Sequence, residues 1–257
     1  MVKRADNNTH DELQMTVGEH IGELRKRVIR VLILFLLFTV LGLIWADEVV
    51  LFLKDQPVAA EIPWVVLGLT DAFKVYFLFA MVLAVIMTFP FALYQVWAFV
   101  SPGLTPKERR ITLFFIPAAV LLFLAGLAFG YFWLLPFMIQ FMMGLADRLG
   151  AEEMYGMVHY FQFLIMFVVP FGFIFQLPVL VLFFTRLGVI TPALLKRIRK
   201  YAYFALFVLA AVITPPDLFS HLLVTVPLIL LYEFSIWLAI LGTPKSSTES
   251  IAEDQDG

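Results

Sequence analysis

The chain has 257 residues, 62% of them hydrophobic and only 15% charged, with a mean hydropathy of +0.93. That much apolar surface cannot be hidden inside a water-soluble globule of this size, so the composition defines an all-α polytopic membrane protein. The net charge of -2 says little about partners, since in a membrane protein the positions of the charges carry the information; no nucleic-acid footprint is visible, and the lack of any cysteine excludes a disulfide, an Fe–S cluster or a thiolate zinc site.

In chain order, residues 1–27 are polar and read as a cytoplasmic N-terminal segment with an interfacial helix. They carry no small-residue cleavage site, so the apolar run that follows is a retained span. A bilayer core of about 30 Å takes about 20 apolar residues per helix. Runs of that kind predict six transmembrane helices within a domain over 28–241, at 28–45, 72–93, 111–135, 161–185, 201–213 and 218–241, the last two short. The acidic segment 242–257 is predicted to be a disordered cytoplasmic tail. With this layout all of the 18 Lys and Arg except Lys54, Lys74 and Arg148 fall on the N-terminal side of the membrane, which predicts both termini in the cytoplasm.

The outer segments 46–71 and 136–160 mix apolar residues with acidic groups and prolines, and are expected to lie at the interface as a cap. On the inner side the chain turns at Ser101-Pro102-Gly103. Thr105, Pro106 and Glu108 then have the form of a capping box with proline at the first helical position. Glu108 thus has a local structural reason to be there.

Glu23 has one too, because Lys26 and Arg27 stand three and four residues after it, at the spacing of intrahelical ion pairs. Glu19, four residues before Glu23, works against that account, since two carboxylates stacked on one face repel, whereas a surface that receives an external cation wants both. Spacing alone leaves the two readings equal. Within the spans the notable polar residues are Gln176, between Pro170 and Pro178, and Glu233; each is costly in a bilayer and therefore a candidate for function. The phenylalanine-rich runs of the third and fourth spans are expected to face lipid or pack. No nucleotide-binding loop, H-E-x-x-H or nucleophile with an adjacent base is present, so no catalytic residue, metal or cofactor is expected.

Three stretches carry a resemblance: His20-Ile-Gly-Glu23-Leu-Arg25-Lys-Arg27; Tyr94-Gln-Val-Trp97-Ala-Phe99 followed by Pro102 and Lys107-Glu108-Arg109-Arg110; and Thr214-Pro215-Pro216-Asp217. Together, over about residues 17–241, the chain resembles the TatC subunit of the twin-arginine protein translocase. The resemblance implies a receptor in the plasma (inner) membrane of a prokaryote that recognises signal peptides bearing consecutive arginines. It would assemble with single-span TatA and TatB proteins and with further TatC copies, and would export folded proteins using the proton-motive force.

Carried over by motif, the signal-binding carboxylates are Glu23 and Glu108, with Arg25 and Arg27 as neighbouring positions, and Pro215, Pro216 and Asp217 form the outer-face turn. The chemistry is consistent, because a guanidinium matches a carboxylate with two parallel hydrogen bonds. Gln176 stands where the family pattern allows Glu or Gln and is expected to meet a polar group of a partner helix, and Glu233 matches a family glutamate. His221 departs from the usual glutamine, so no role is carried to it. The alternative function is a six-helix, proton-coupled transporter of a small solute. Such a protein places ionisable groups near the midplane, where Glu233, about 12 Å from the inner end of its helix, is the only deep carboxylate.

Overall fold

A computed structural model describes residues 17–56, 64–150 and 154–242. The predicted tail from 243 onward and residues 57–63 of the first outer segment lie outside the described residues. The described residues begin with one 38-residue helix, α1 (Val17–Lys54), which contains no proline to interrupt it. It runs past the predicted end at Trp45: Asp47 and Glu48 are exposed on its surface, and the Tyr76 hydroxyl of the next helix donates to Asp47. A charge ends an apolar run without ending a helix.

After a short strand β1 (Trp64–Val65), α2 (Asp71–Val100) opens with Asp71 accepting the Gly68 backbone N–H at 2.8 Å. It closes in a single 3-10 turn at Ser101–Gly103. The third helical stretch is built of α3 (Pro106–Leu113), α4 (Phe115–Phe129), a five-residue π turn (Gly130–Leu134) and α5 (Leu135–Arg148). The π turn lies just before Pro136, which has no N–H to continue the ladder. Strand β2 (Tyr155–Gly156) then pairs in parallel with β1, tying the two outer segments together.

The fourth stretch is α6 (Met157–Ile174) and α7 (Leu177–Arg186), broken at Phe175-Gln176 ahead of Pro178. Helices α8 (Pro192–Arg197), α9 (Arg199–Ile213) and α10 (Leu218–Gly242) complete the described chain. Five helical stretches are long and apolar enough to cross a membrane: His20–Lys54, Asp71–Gly103, Glu108–Arg148, Met157–Arg186 and Leu218–Leu241. The fifth predicted span corresponds to α9, whose 15 residues rise only about 22 Å, and it is not among these five.

Helix α6 sits at the centre of the packing. One buried cluster joins its Val158, Phe161 and Leu164 to Val75 and Phe79 of α2, and the other joins its Phe167 and Phe171 to Leu206 of α9 and Val224 and Leu228 of α10. Part of the phenylalanine-rich sequence is therefore core: Phe123, Phe161, Phe167 and Phe171 are fully buried, whereas Phe114, Phe132 and Phe204 are exposed. Close approach of α4 to α6 depends on Gly126 and Gly130, one turn apart. A Cβ on Gly126 would fall on the Phe171 carbonyl, and one on Gly130 would come within 3.0 Å of the Val168 Cα. Small residues at this spacing let helix backbones touch where lipid gives no hydrophobic drive.

Candidate functional site at the Glu23 end of the bundle

The first turns of α1 lie against the last turns of α2. His20 stacks on Phe99 with ring centroids 4.2 Å apart. Arg27, one turn after Glu23, pairs with it as the sequence spacing predicts: its Nε donates to Glu23 Oε1 at 3.0 Å and its Nη2 reaches the same oxygen. The rest of the guanidinium crosses to α2, where Nη1 donates to Gln95 Oε1 and Nη2 to the Ala98 carbonyl, both at 3.1 Å. Gln95 is only 7% exposed. The other carboxylate oxygen, Glu23 Oε2, is shielded from solvent and has no hydrogen-bond partner among the described residues. Arg25 is exposed on the same helix and takes no part in this cluster.

Glu108 stands on the far side of the α2 terminus, in the charged first turn of α3 ahead of the apolar run. Its capping box is formed in full: the Thr105 backbone N–H and hydroxyl donate to Oε2 at 2.9 and 2.7 Å, while the Glu108 N–H donates to Thr105 Oγ1 at 3.4 Å. The Thr105 hydroxyl, and after it the Thr105 backbone N–H, hold this carboxyl below its ordinary range. The other oxygen, Oε1, has no partner among the described residues. Next to Glu108, Arg109 lies over the Trp97 ring of α2 at 5.8 Å.

On the membrane side of this cluster an apolar groove of about 510 Å³ runs between α1 and α2, lined by Val28, Val31, Phe35, Phe89, Ala92 and Phe99.

The intramembrane candidates are satisfied within the chain. Gln176 is buried at the α6–α7 break, and its amide donates to the Ala119 carbonyl of α4 at 3.1 Å and to the Gly172 carbonyl at 3.3 Å. The amide nitrogen is thus taken up inside the bundle by freed backbone carbonyls. Glu233 accepts from Arg199 Nη2 at 2.7 Å and from the Tyr203 hydroxyl at 2.5 Å, so it is an ion-paired group joining α10 to α9. At the opposite end, Pro215 and Pro216 separate α9 from α10, and Asp217 Oδ1 caps α10 by accepting the Ser220 N–H at 2.7 Å. Asp217 Oδ2, Ser220 Oγ and His221 Nε2 are buried without partners among the described residues, and His221 lies edge-on to Phe207 at 4.1 Å.

Gln95 is the residue that sequence reasoning missed. It lies inside the quoted stretch Tyr94-Gln-Val-Trp97, but nothing local marks its contact, because its partner Arg27 lies 68 positions away.

Long apolar helices packed in one bundle define a multi-pass helical membrane protein. Residues 19–227 match the family model described as Sec-independent protein translocase protein (TatC). The chain is 51% identical over 231 residues to a Sec-independent protein translocase protein TatC of Halalkalibacterium halodurans, covering 90% of this chain and 91% of that protein. It is 45% identical over 240 residues to TatCy of Bacillus subtilis, covering 93% and 94%. A crystal structure of the twin-arginine translocase receptor TatC superposes with a TM-score of 0.77 at 33% identity, covering 88% of this chain and 100% of that one. The chain belongs to the TatC family: it is a multi-pass inner-membrane component of a protein translocase and not an enzyme.

Proposed function

We propose that this chain is the signal-peptide receptor and core subunit of a twin-arginine translocase, and that Glu23 and Glu108 receive the paired arginines of the signal. The observation that carries the reading is that each carboxylate spends one oxygen on its own chain and keeps the other. Glu23 Oε1 is taken by Arg27 and Glu108 Oε2 by Thr105, while Glu23 Oε2 and Glu108 Oε1 have no partner among the described residues. A carboxylate with an oxygen to spare accepts a further guanidinium donor. The matched crystal structure is of a twin-arginine translocase receptor, which favours the same assignment.

In this reading both termini are cytoplasmic, α9 is a sixth, short span, and the Glu23 end faces the cytoplasm. The partners are single-span TatA- and TatB-type proteins and other TatC copies, and the proton-motive force drives transport of folded cargo. A proton-coupled solute transporter is disfavoured because the one deep carboxylate, Glu233, is held by Arg199 and Tyr203.

The test is the affinity of a labelled arginine-pair peptide for the purified protein in detergent. Glu23→Gln and Glu108→Gln should each weaken binding at least tenfold with thermal stability unchanged. Unmodified affinity in both variants removes the reading.

A further inference from the structure

We infer that the turn between α7 and α9, with α8 inside it, is a binding surface for the headgroups of anionic phospholipids. The surface is separate from Glu23 and Glu108, and an imbalance of charge marks it. On the inner side, the first segment sets Glu19 and Glu23 against Arg25, Lys26, Arg27 and Arg30, and the second sets Glu108 against Lys107, Arg109 and Arg110. The third carries Arg186, Lys196, Arg197, Arg199 and Lys200, and no Asp or Glu stands anywhere from Met154 to Pro216.

Packing answers one of these cations. Arg199 pairs with Glu233 of α10 at 2.7 Å. Arg186, Lys196, Arg197 and Lys200 are exposed and make no ion pair among the described residues. Helix α8 holds two of them on the surface: Leu195 is buried and its carbonyl accepts the Tyr232 hydroxyl at 3.0 Å, so α8 is fastened to α10 through that residue while Lys196 and Arg197 stay outside. Like charges gathered in this way repel until an anion joins them.

The apolar surface between the cations distinguishes a lipid from a soluble anion. Val189, Leu194, Ile198 and Tyr201 are exposed among them, and Lys200 lies over the Tyr201 ring at 5.2 Å. A phospholipid supplies both halves of the match, phosphate for the cations and glycerol and acyl carbon for the apolar side chains. Tyrosine is also enriched at the headgroup level of a bilayer. A zwitterionic lipid brings its own ammonium and leaves the excess charge unanswered, so the surface selects a net negative headgroup. The chain's acidic residues beyond α10, Glu249, Glu253, Asp254 and Asp256, would neutralise the cations but leave the apolar residues bare.

The test is native mass spectrometry of the full-length protein in detergent with phosphatidylglycerol and phosphatidylcholine at equal concentrations, reading the apparent affinity for the first lipid bound. Phosphatidylglycerol should be preferred. Lys196→Gln combined with Arg197→Gln should weaken its binding by about fivefold or more and leave phosphatidylcholine unaffected. The matched loss of two charges on α1, Lys26→Gln with Arg30→Gln, should keep phosphatidylglycerol binding within twofold of the unmodified protein. If the α8 double variant does not fold, Arg186→Gln with Lys200→Gln, which leaves α8 intact, takes its place with the same expectation.

The inference is overturned if the double variant in the turn stays within twofold, or if the α1 variant loses as much, because the preference is then the general pull of any basic collar. It is overturned too if phosphatidylglycerol binds only after residues 246–257 are deleted, which makes the acidic tail the occupant. Displacement of the lipid by free glycerol phosphate at the same concentration would likewise make a soluble anion the ligand. None of these outcomes touches Glu23 or Glu108, and a detergent micelle has no sides, so the receptor reading and the orientation are decided separately.

Discussion

The indole nitrogen of Trp97 donates to the Thr112 hydroxyl at 3.1 Å, and that hydroxyl donates on to the Glu108 carbonyl at 2.9 Å. The end of α2 is thus stitched to the helix that carries Glu108, while the neighbouring Gln95 and Ala98 hold the helix that carries Glu23. Replacing Trp97 with Phe removes one neutral hydrogen bond and leaves the buried Thr112 hydroxyl with its second partner. A loss of about 0.5–1.5 kcal/mol is expected, read as a lowered thermal midpoint in detergent, together with weaker arginine-pair peptide binding.

The Thr105–Glu108 box separates cap from receptor. Hydrogen bonds from Thr105 lower the Glu108 carboxyl pKa, so the stability it contributes is present above the unfolded carboxylate pKa and lost as pH falls through the lower, folded value. In Thr105→Ala the Glu108 titration should move up towards the ordinary carboxylate range, measured by 13C NMR of labelled glutamate carboxyls. No movement would show that the cap does not set the ionisation of this residue.

Gly126 and Gly144 form a contrast within the third stretch. A methyl at position 126 lands on the Phe171 carbonyl, whereas one at 144 meets nothing within 4 Å. Gly126→Ala should cost about 1–3 kcal/mol by overpacking, and Gly144→Ala should stabilise by about 0.5–1 kcal/mol through helix propensity. Thermal unfolding of the two variants side by side checks both signs.

Sidedness is directly measurable because the chain contains no cysteine. Leu149→Cys, exposed at the end of α5, should react with an impermeant thiol reagent added outside intact cells. Arg110→Cys, exposed in α3, should react only after the membrane is opened. The reverse pattern inverts the proposed orientation.

Glu233 pairs with Arg199 and Tyr203 and so joins α10 to α9. Glu233→Gln, which keeps an acceptor for both, should leave peptide binding intact. Tenfold weaker binding would place Glu233 in the recognition path.

What the sequence made legible was whatever is local. Thr105, Pro106 and Glu108 announce their capping box because its partners stand three residues apart, and Glu23 announces Arg27 for the same reason. The apolar runs locate the helices, but their ends were misjudged wherever a charged residue sits on an exposed helical face, as Asp47 and Glu48 do beyond Trp45. Contacts between distant segments leave no local trace. The Gln95–Arg27 bond, the seat of Gly126 against Phe171 and the turning of Gln176 towards Ala119 depend on how the helices pack, which no periodicity records.

The parallel pairing of Trp64–Val65 with Tyr155–Gly156 is two residues long on each side, yet it closes the chain between them into a ring. One rim of the bundle is thereby pinned like the spine of a book, and any relative tilt of the α1–α2 leaf against the α4–α6 leaf is a rotation about that spine. Over a lever of about 30 Å, a tilt of roughly 5° moves the opposite rim by roughly 2–3 Å. At the opposite rim both Glu23 and Glu108 are tethered to the end of α2, through Arg27–Gln95 and through Trp97–Thr112, so those two tethers are what such a tilt would load first.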